Sequence, residues 1–134
     1  MSFRTEKDFL GEKQLPDSAY YGVQTLRGKE NFHITGIPMS TEPYFVKAFG
    51  YVKKAAALAN RDLGVLDATV ANAIAVACDR LIAGEMADQF VTDFIQGGAG
   101  TSTNMNANEV IANRALELLG HRKGEYQFLH PNDD

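Results

Sequence analysis

Three stretches of this chain repeat their apolar positions with the period of an α-helix. In the first, Phe45, Phe49, Val52, Ala56, Ala59 and Leu63 alternate spacings of four and three, which is one helix stripe. Ser40 or Thr41 can cap its start near Thr41, Pro43 suits the first turn, and Gly64 ends it. In the second, Asp67 is the cap, Val70, Ile74, Ala77 and Leu81 form the stripe, Ala73 and Cys78 widen it, and Gly84 ends it. The short link from Gly64 to Asp67 predicts antiparallel neighbours, and the alanines on both helices predict a close approach. In the third, Val110, Ile111, Ala112, Ala115, Leu116, Leu118 and Leu119 give a broad apolar face, with Gly120 at the position of a C′ glycine. Two smaller elements precede these. Asp8-Phe9-Leu10-Gly11-Glu12 fits a tight hairpin, and Asp17 or Ser18 can cap a short helix from Ala19 to about Arg27. Gly28 to Ser40 reads as a connection, Glu85 to Gln96 as irregular with room for a short strand, and the chain after Gly120 as polar. The expected fold class is therefore mainly α: three main helices and a small N-terminal β-hairpin.

The least ordinary stretch is Gln96 to Val110, where a glycine turn runs into hydroxyl and amide side chains at the start of the third helix. Gly97, Gly98 and Gly100 let the backbone take positive φ and let another group come close. Asn106 and Glu109 have capping-box spacing, with Ser102 and Thr103 as earlier N-cap candidates. Whichever residue caps, free N–H groups at a helix start favour an anion, and the Thr101 and Ser102 hydroxyls can donate to a carboxylate. Asparagine is a mediocre helix former, so Asn104, Asn106, Asn108 and Asn113 imply buried amide networks or a polar surface matched by something else. A dinucleotide fingerprint fails at Thr103, where it needs a small residue, and no βαβ alternation follows. A phosphate loop fails for want of a Lys-Ser/Thr pair. Two readings stay open on the residues alone: a site for a small carboxylate, and a packing turn with no ligand.

Composition narrows the classes further. With 45% hydrophobic and 22% charged residues the chain is ordinary globular material, long enough for one core. A net charge of −4 gives no electrostatic case for nucleic acid or an anionic membrane. The mixed charges of Met1 to Asp8 do not resemble a signal peptide, and no apolar run is long enough to cross a bilayer. The single cysteine, Cys78, excludes an internal disulfide, fits a reducing compartment, and sits on an apolar face as inert packing. His33, His121 and His130 are isolated, and no pair has metal-ligand spacing, so no metal site is expected. Tyr20-Tyr21 reads as core or interface.

The segment Gln96 to Glu109, continuing through Val110-Ile111-Ala112-Asn113-Arg114-Ala115, resembles a signature of the aspartase/fumarase superfamily. So do Asp8-Phe9-Leu10-Gly11, Ala19 to Arg27, Glu30-Asn31-Phe32, Val52 to Ala56 and Asp88-Gln89-Phe90, so the resemblance spans nearly the whole chain. Tyr21-Gly22-Val23 and Gly97 to Ser102 look like the ammonia-lyase side of the superfamily; fumarases tend to have Trp-Gly-Ala and Thr-Gly-Ser-Gly-Thr-Gln there. His130-Pro131-Asn132-Asp133-Asp134 is more similar to the fumarase version, which forms a second dicarboxylate site.

The resemblance implies that residues 1–134 are an N-terminal domain, with a central helical bundle, a C-terminal domain and the serine base supplied by chain not present here. It implies reversible deamination of L-aspartate to fumarate and ammonia by a cytoplasmic homotetramer. No cofactor is implied, with room for divalent-cation activation of the full enzyme, and no nucleic acid or membrane partner. By resemblance Thr101 contacts substrate, with Ser102, Gly100 and Ala99 beside it, and no catalytic base is expected in this stretch. Asn104 and Asn106 hold the segment in shape or meet other subunits, and His130, Asn132 and Asp133 are candidates for the second anion site. The rival readings are a class II fumarase domain and a purely structural helical module.

Overall fold

The computed structural model describes residues 1–134. Strands β1 (Phe3–Asp8) and β2 (Gly11–Pro16) pair antiparallel as a hairpin, with Phe3 opposite Pro16 and Asp8 opposite Gly11. Four helices follow: α1 (Val23–Asn31), α2 (Pro43–Asp62), α3 (Ala68–Ile82) and α4 (Thr101–Leu118). Single 3₁₀ turns lie at Met39–Thr41 and Ala87–Gln89. The mainly helical class with its small hairpin is the expected one. The three long helices lie where their periodicity puts them, and Gly64, Gly84 and Gly120 end them with φ of 73°, 99° and 84°. Helix α3 is capped as expected: Asp67 Oδ2 accepts from the amides of Thr69 (3.0 Å) and Val70 (3.1 Å). No helix is long and apolar enough to cross a membrane.

The core lies between α2, α3 and α4. Ala77, Cys78, Leu81, Phe90, Val110, Ala115 and Leu116 are fully buried in it, and Leu129 closes it from the C-terminal segment. Burying the Cys78 thiol pushes its pKa up to about 12, so it is packing material and not a nucleophile.

The expected stripe on α2 is only partly right. The residues α2 buries are Val46, Gly50 and Ala57, while Val52, Ala56, Ala59 and Leu63 are exposed. Most of the helix circumference is apolar, so two stripes fit one period, and the neighbour decides between them. Gly50 faces α3 so closely that a Cβ there would lie 2.7 Å from Ile82 Cγ1. Ser40 and Thr41 do not cap α2 either: they fall in the 3₁₀ turn and at its end, and Glu42 precedes Pro43 without a side-chain cap. Between Glu85 and Gln96 there is no strand, only a 3₁₀ turn and a single bridge between Pro38 and Asp93.

Helix α1 is displaced from its expected span. It starts at Val23, not Ala19, and runs through Gly28 to Asn31. The Arg4 guanidinium claims the carbonyls of Pro16 (3.0 Å), Ala19 (2.8 Å) and Tyr21 (2.9 Å). Asn113 Nδ2 donates to the Tyr20 carbonyl at 2.6 Å, so the backbone of 19–21 is spent on tertiary bonds and does not coil. No local side chain caps α1. Carboxylates from elsewhere take that role: Glu6 accepts the Val23 amide (3.1 Å), and Glu109 accepts those of Gln24 (3.2 Å) and Thr25 (2.7 Å).

Candidate functional site

Helix α4 starts immediately after the glycine turn. Gly100, with φ 86°, is the residue before it, a left-handed conformation that suits glycine and strains other L-residues. The capping box expected from Asn106 and Glu109 is absent, and neither Ser102 nor Thr103 is an N-cap: all four residues are inside the helix. Asn106 and Glu109 are buried instead, and their polar groups serve other segments. Asn106 Oδ1 accepts from the Val91 amide, and its Nδ2 donates to the Gln89 carbonyl, both at 2.9 Å. Asn113 spans Tyr20 and Gly124 in the same way, and Asn104 Oδ1 accepts from Lys53 Nζ at 2.7 Å. Of the two explanations for the asparagines, buried amide networks account for Asn106 and Asn113.

The turn itself has little to hold it. No backbone N–H from Gly97 to Ser102 donates to another group of the chain, and Gly97 to Thr101 are exposed. Its two ends are fastened through Gln96. Gln96 Nε2 donates to the Asp93 carbonyl (2.9 Å) and to Thr103 Oγ1 (2.6 Å), and its Oε1 accepts the Thr103 amide (2.9 Å). Asp93 is anchored in turn. Its carboxylate accepts the amides of Ile34, Thr35, Gly36 and Ile95 and the Thr35 hydroxyl. Burial works to raise its pKa, but these donors outweigh it and hold the carboxyl down at about 2.

Thr101 and Ser102 open onto a cavity of about 460 Å³ walled also by Met105, Gln24, Arg27 and Asn132. Of the substrate candidates, Thr101 is exposed and Ser102 half-buried, while Gly100 and Ala99 lie on the exposed turn. Ser102 is pressed against α1: a Cβ on Gly28 would lie 3.2 Å from Ser102 Oγ. Arg27 is not a free cation here, because Asp8 holds its guanidinium at 2.7 and 2.8 Å. Gln24 and Arg27 carried no individual signal in the sequence beyond lying in a family-like segment.

The structure brings one of the second-site candidates to this cavity, Asn132. His130 lines two neighbouring cavities of about 210 and 290 Å³, and Asp133 lines none of the three. The segment is folded on itself: His130 Nδ1 accepts the Asn132 amide at 3.1 Å, and Asp134 accepts the His130 amide at 2.7 Å. His121 stacks on Phe128, with ring centroids 3.9 Å apart. No three His, Cys, Asp or Glu side chains converge to hold a metal ion.

Glu109 and Tyr126, on the wall of the cavity of about 290 Å³, belong to a buried polar cluster. Glu109, Glu6 and the Tyr126 hydroxyl surround the backbone of Gly22, and any side chain on Gly22 would overlap all three. Burial raises the Glu109 carboxyl to about 7, against the opposing pull of its Thr25 bonds, and Glu6 adds to the rise.

Residues 11–134 match a protein family described as lyase. The chain is 61% identical over 133 residues to an aspartate ammonia-lyase of Pseudomonas canavaninivorans, covering 99% of this chain and 28% of that protein. A crystal structure of a fumarate lyase:delta crystallin from Brucella melitensis superposes with a TM-score of 0.97 at 54% identity, covering 99% of this chain and 29% of that one. A class II fumarase from Schistosoma mansoni gives a TM-score of 0.90 at 36% identity, over 98% of this chain and 28% of that one. The chain thus spans somewhat over a quarter of the length of the relatives it matches.

Proposed function

The chain belongs to the lyase family, and we propose that it is the N-terminal domain of an aspartate ammonia-lyase, contributing groups that bind a substrate carboxylate. The observation that carries this reading is the turn of unpaired backbone amides from Gly97 to Ser102, with the Thr101 and Ser102 hydroxyls beside them on an open cavity. Identity of 61% to an aspartate ammonia-lyase, against 36% to a class II fumarase, supports deamination over hydration.

In that reaction a base removes the proton from the carbon β to the amine, which is α to the second carboxylate. The electron pair moves into that carboxylate as an aci-form, then returns to form the double bond as the C–N bond breaks and ammonia leaves. The aci-intermediate carries extra negative charge, so donors already aimed at one carboxylate stabilise it more than they stabilise the substrate. Thr101 Oγ1, Ser102 Oγ and the amides of Ala99 and Gly100 are the donors assigned here. The base is assigned to chain outside these residues, and the whole enzyme to a cytoplasmic homotetramer acting on L-aspartate and fumarate. A second anion site would use the Asn132 side-chain amide and His130 Nε2, since the Asn132 backbone N–H and His130 Nδ1 are spent on each other.

In the whole protein, Thr101→Ala should lower kcat/KM for L-aspartate roughly 100-fold, the usual loss for one donor to a developing oxyanion. Fumarate absorbance measures it. Unchanged kinetics would remove Thr101 from the site. Hydration is the rival, motivated by the fumarase-like His130 to Asp134 segment, and turnover of malate in preference to aspartate would select it.

A further inference from the structure

We propose that Gln96 is a positioning residue: it holds the Thr101 hydroxyl and the neighbouring amides in register for the substrate carboxylate, and it acts only through them. This rests on the reading of Thr101 given above.

No backbone N–H of the turn from Gly97 to Ser102 donates a hydrogen bond within the chain, and three of its four leading residues are glycine. Left alone, such a segment samples many conformations, and donors spread over them cannot meet one carboxylate together. The Gln96 side chain closes the segment at its base. It reaches seven residues along the chain to Thr103, accepting its amide and donating to its hydroxyl, while donating to the Asp93 carbonyl behind it. Both anchor points are rigid. Thr103 is buried in the first turn of α4, and Asp93 is buried and held by donors from residues 34–36. The loop between them is therefore fixed at both feet while its amides stay free for a ligand.

The chemistry explains why an amide serves here. One side-chain end donates to two oxygens while the other accepts an N–H. A carboxylate would place an oxygen against the Asp93 carbonyl, and an apolar side chain would strand all three partners. The Thr103 N–H, which no N-cap side chain satisfies, donates to Gln96 Oε1, so Gln96 also caps the start of α4.

The test is a double-variant cycle in the whole protein, with kcat, KM and thermal unfolding measured for L-aspartate deamination. Gln96→Ala should lower kcat/KM roughly 10- to 100-fold, the scale of a small misplacement of binding groups, with the same division between kcat and KM as Thr101→Ala. Combined with Thr101→Ala it should add almost nothing, because the two residues act as one unit. Thr103→Val should repeat the defect more mildly, and Thr103→Ser should restore it; this pair covers the case in which Gln96→Ala fails to fold. If Thr101→Ala is defective but Gln96→Ala is not, or if their losses multiply in the double variant, the positioning role is overturned. If Thr101→Ala itself is silent, the reading of the site is wrong and this inference falls with it.

Discussion

The Glu109 carboxylate accepts both polar hydrogens of Thr25, the amide at 2.7 Å and the hydroxyl at 2.6 Å, across 84 residues of sequence. Through this pair, α4 caps α1. The helix that presents Thr101 and Ser102 thereby fixes the position of the helix that forms the opposite cavity wall with Gln24 and Arg27. The two walls of the candidate site are thus tied together through a buried acid.

Gly22 is the position where this arrangement tolerates least. A methyl group there would overlap Glu109, Glu6 and the Tyr126 hydroxyl at once. Gly22→Ala should cost about 3 kcal/mol or more, the upper range for overpacking, because three buried polar groups must shift together. Urea unfolding of the variant measures it, and an unchanged midpoint would contradict the close approach.

Protonation should act on stability in two separate windows. The Glu109 carboxyl is raised from 4.5 to about 7, so the folded state holds its proton more tightly than the unfolded state does. Its contribution is fully present below pH about 4.5 and is lost as pH rises through about 7. Asp93 is lowered from 3.8 to about 2, so its contribution is present above pH about 3.8 and lost as pH falls through about 2. Thermal unfolding across pH should show Glu109→Gln flattening the fall between 4.5 and 7, while Asp93→Asn flattens the acid limb.

Asn106 should be costly to truncate. Its side chain is the partner of both the Val91 amide and the Gln89 carbonyl. Asn106→Ala strands one donor and one acceptor, at roughly 1–3 kcal/mol each where they stay dry. The expected total of about 3 kcal/mol is checked by chemical denaturation. Asn106→Asp should be no rescue, because it replaces the donor to Gln89 with an acceptor.

Thr92 predicts the opposite sign. Its hydroxyl is buried and has no hydrogen-bond partner. Thr92→Val keeps the shape and removes the unpaired group, so it should stabilise by about 1 kcal/mol. A lower unfolding temperature for the variant would show that the hydroxyl is satisfied in solution.

The long helices, their glycine C-terminal ends and the Asp67 cap were written in the chain, because helix period, that cap and the terminal glycines are local properties; the starts of α2 and α4 were not. The lyase family was legible as well, since the resemblance rests on continuous segments. Tertiary structure alone decided which face of α2 is buried, because its apolar residues fit two stripes and only the approach of α3 at Gly50 selects one. It also moved α1 from Ala19 to Val23. The competition there was between coiling locally and bonding to Arg4, Glu6, Glu109 and Asn113, and those partners come from segments distant in sequence. The turn before Thr101 divides the same way. Its glycines announced a backbone free to take positive φ, but only the folded chain brings Gln96 and Thr103 together across it, since side-chain bonds over such a distance leave no periodic trace.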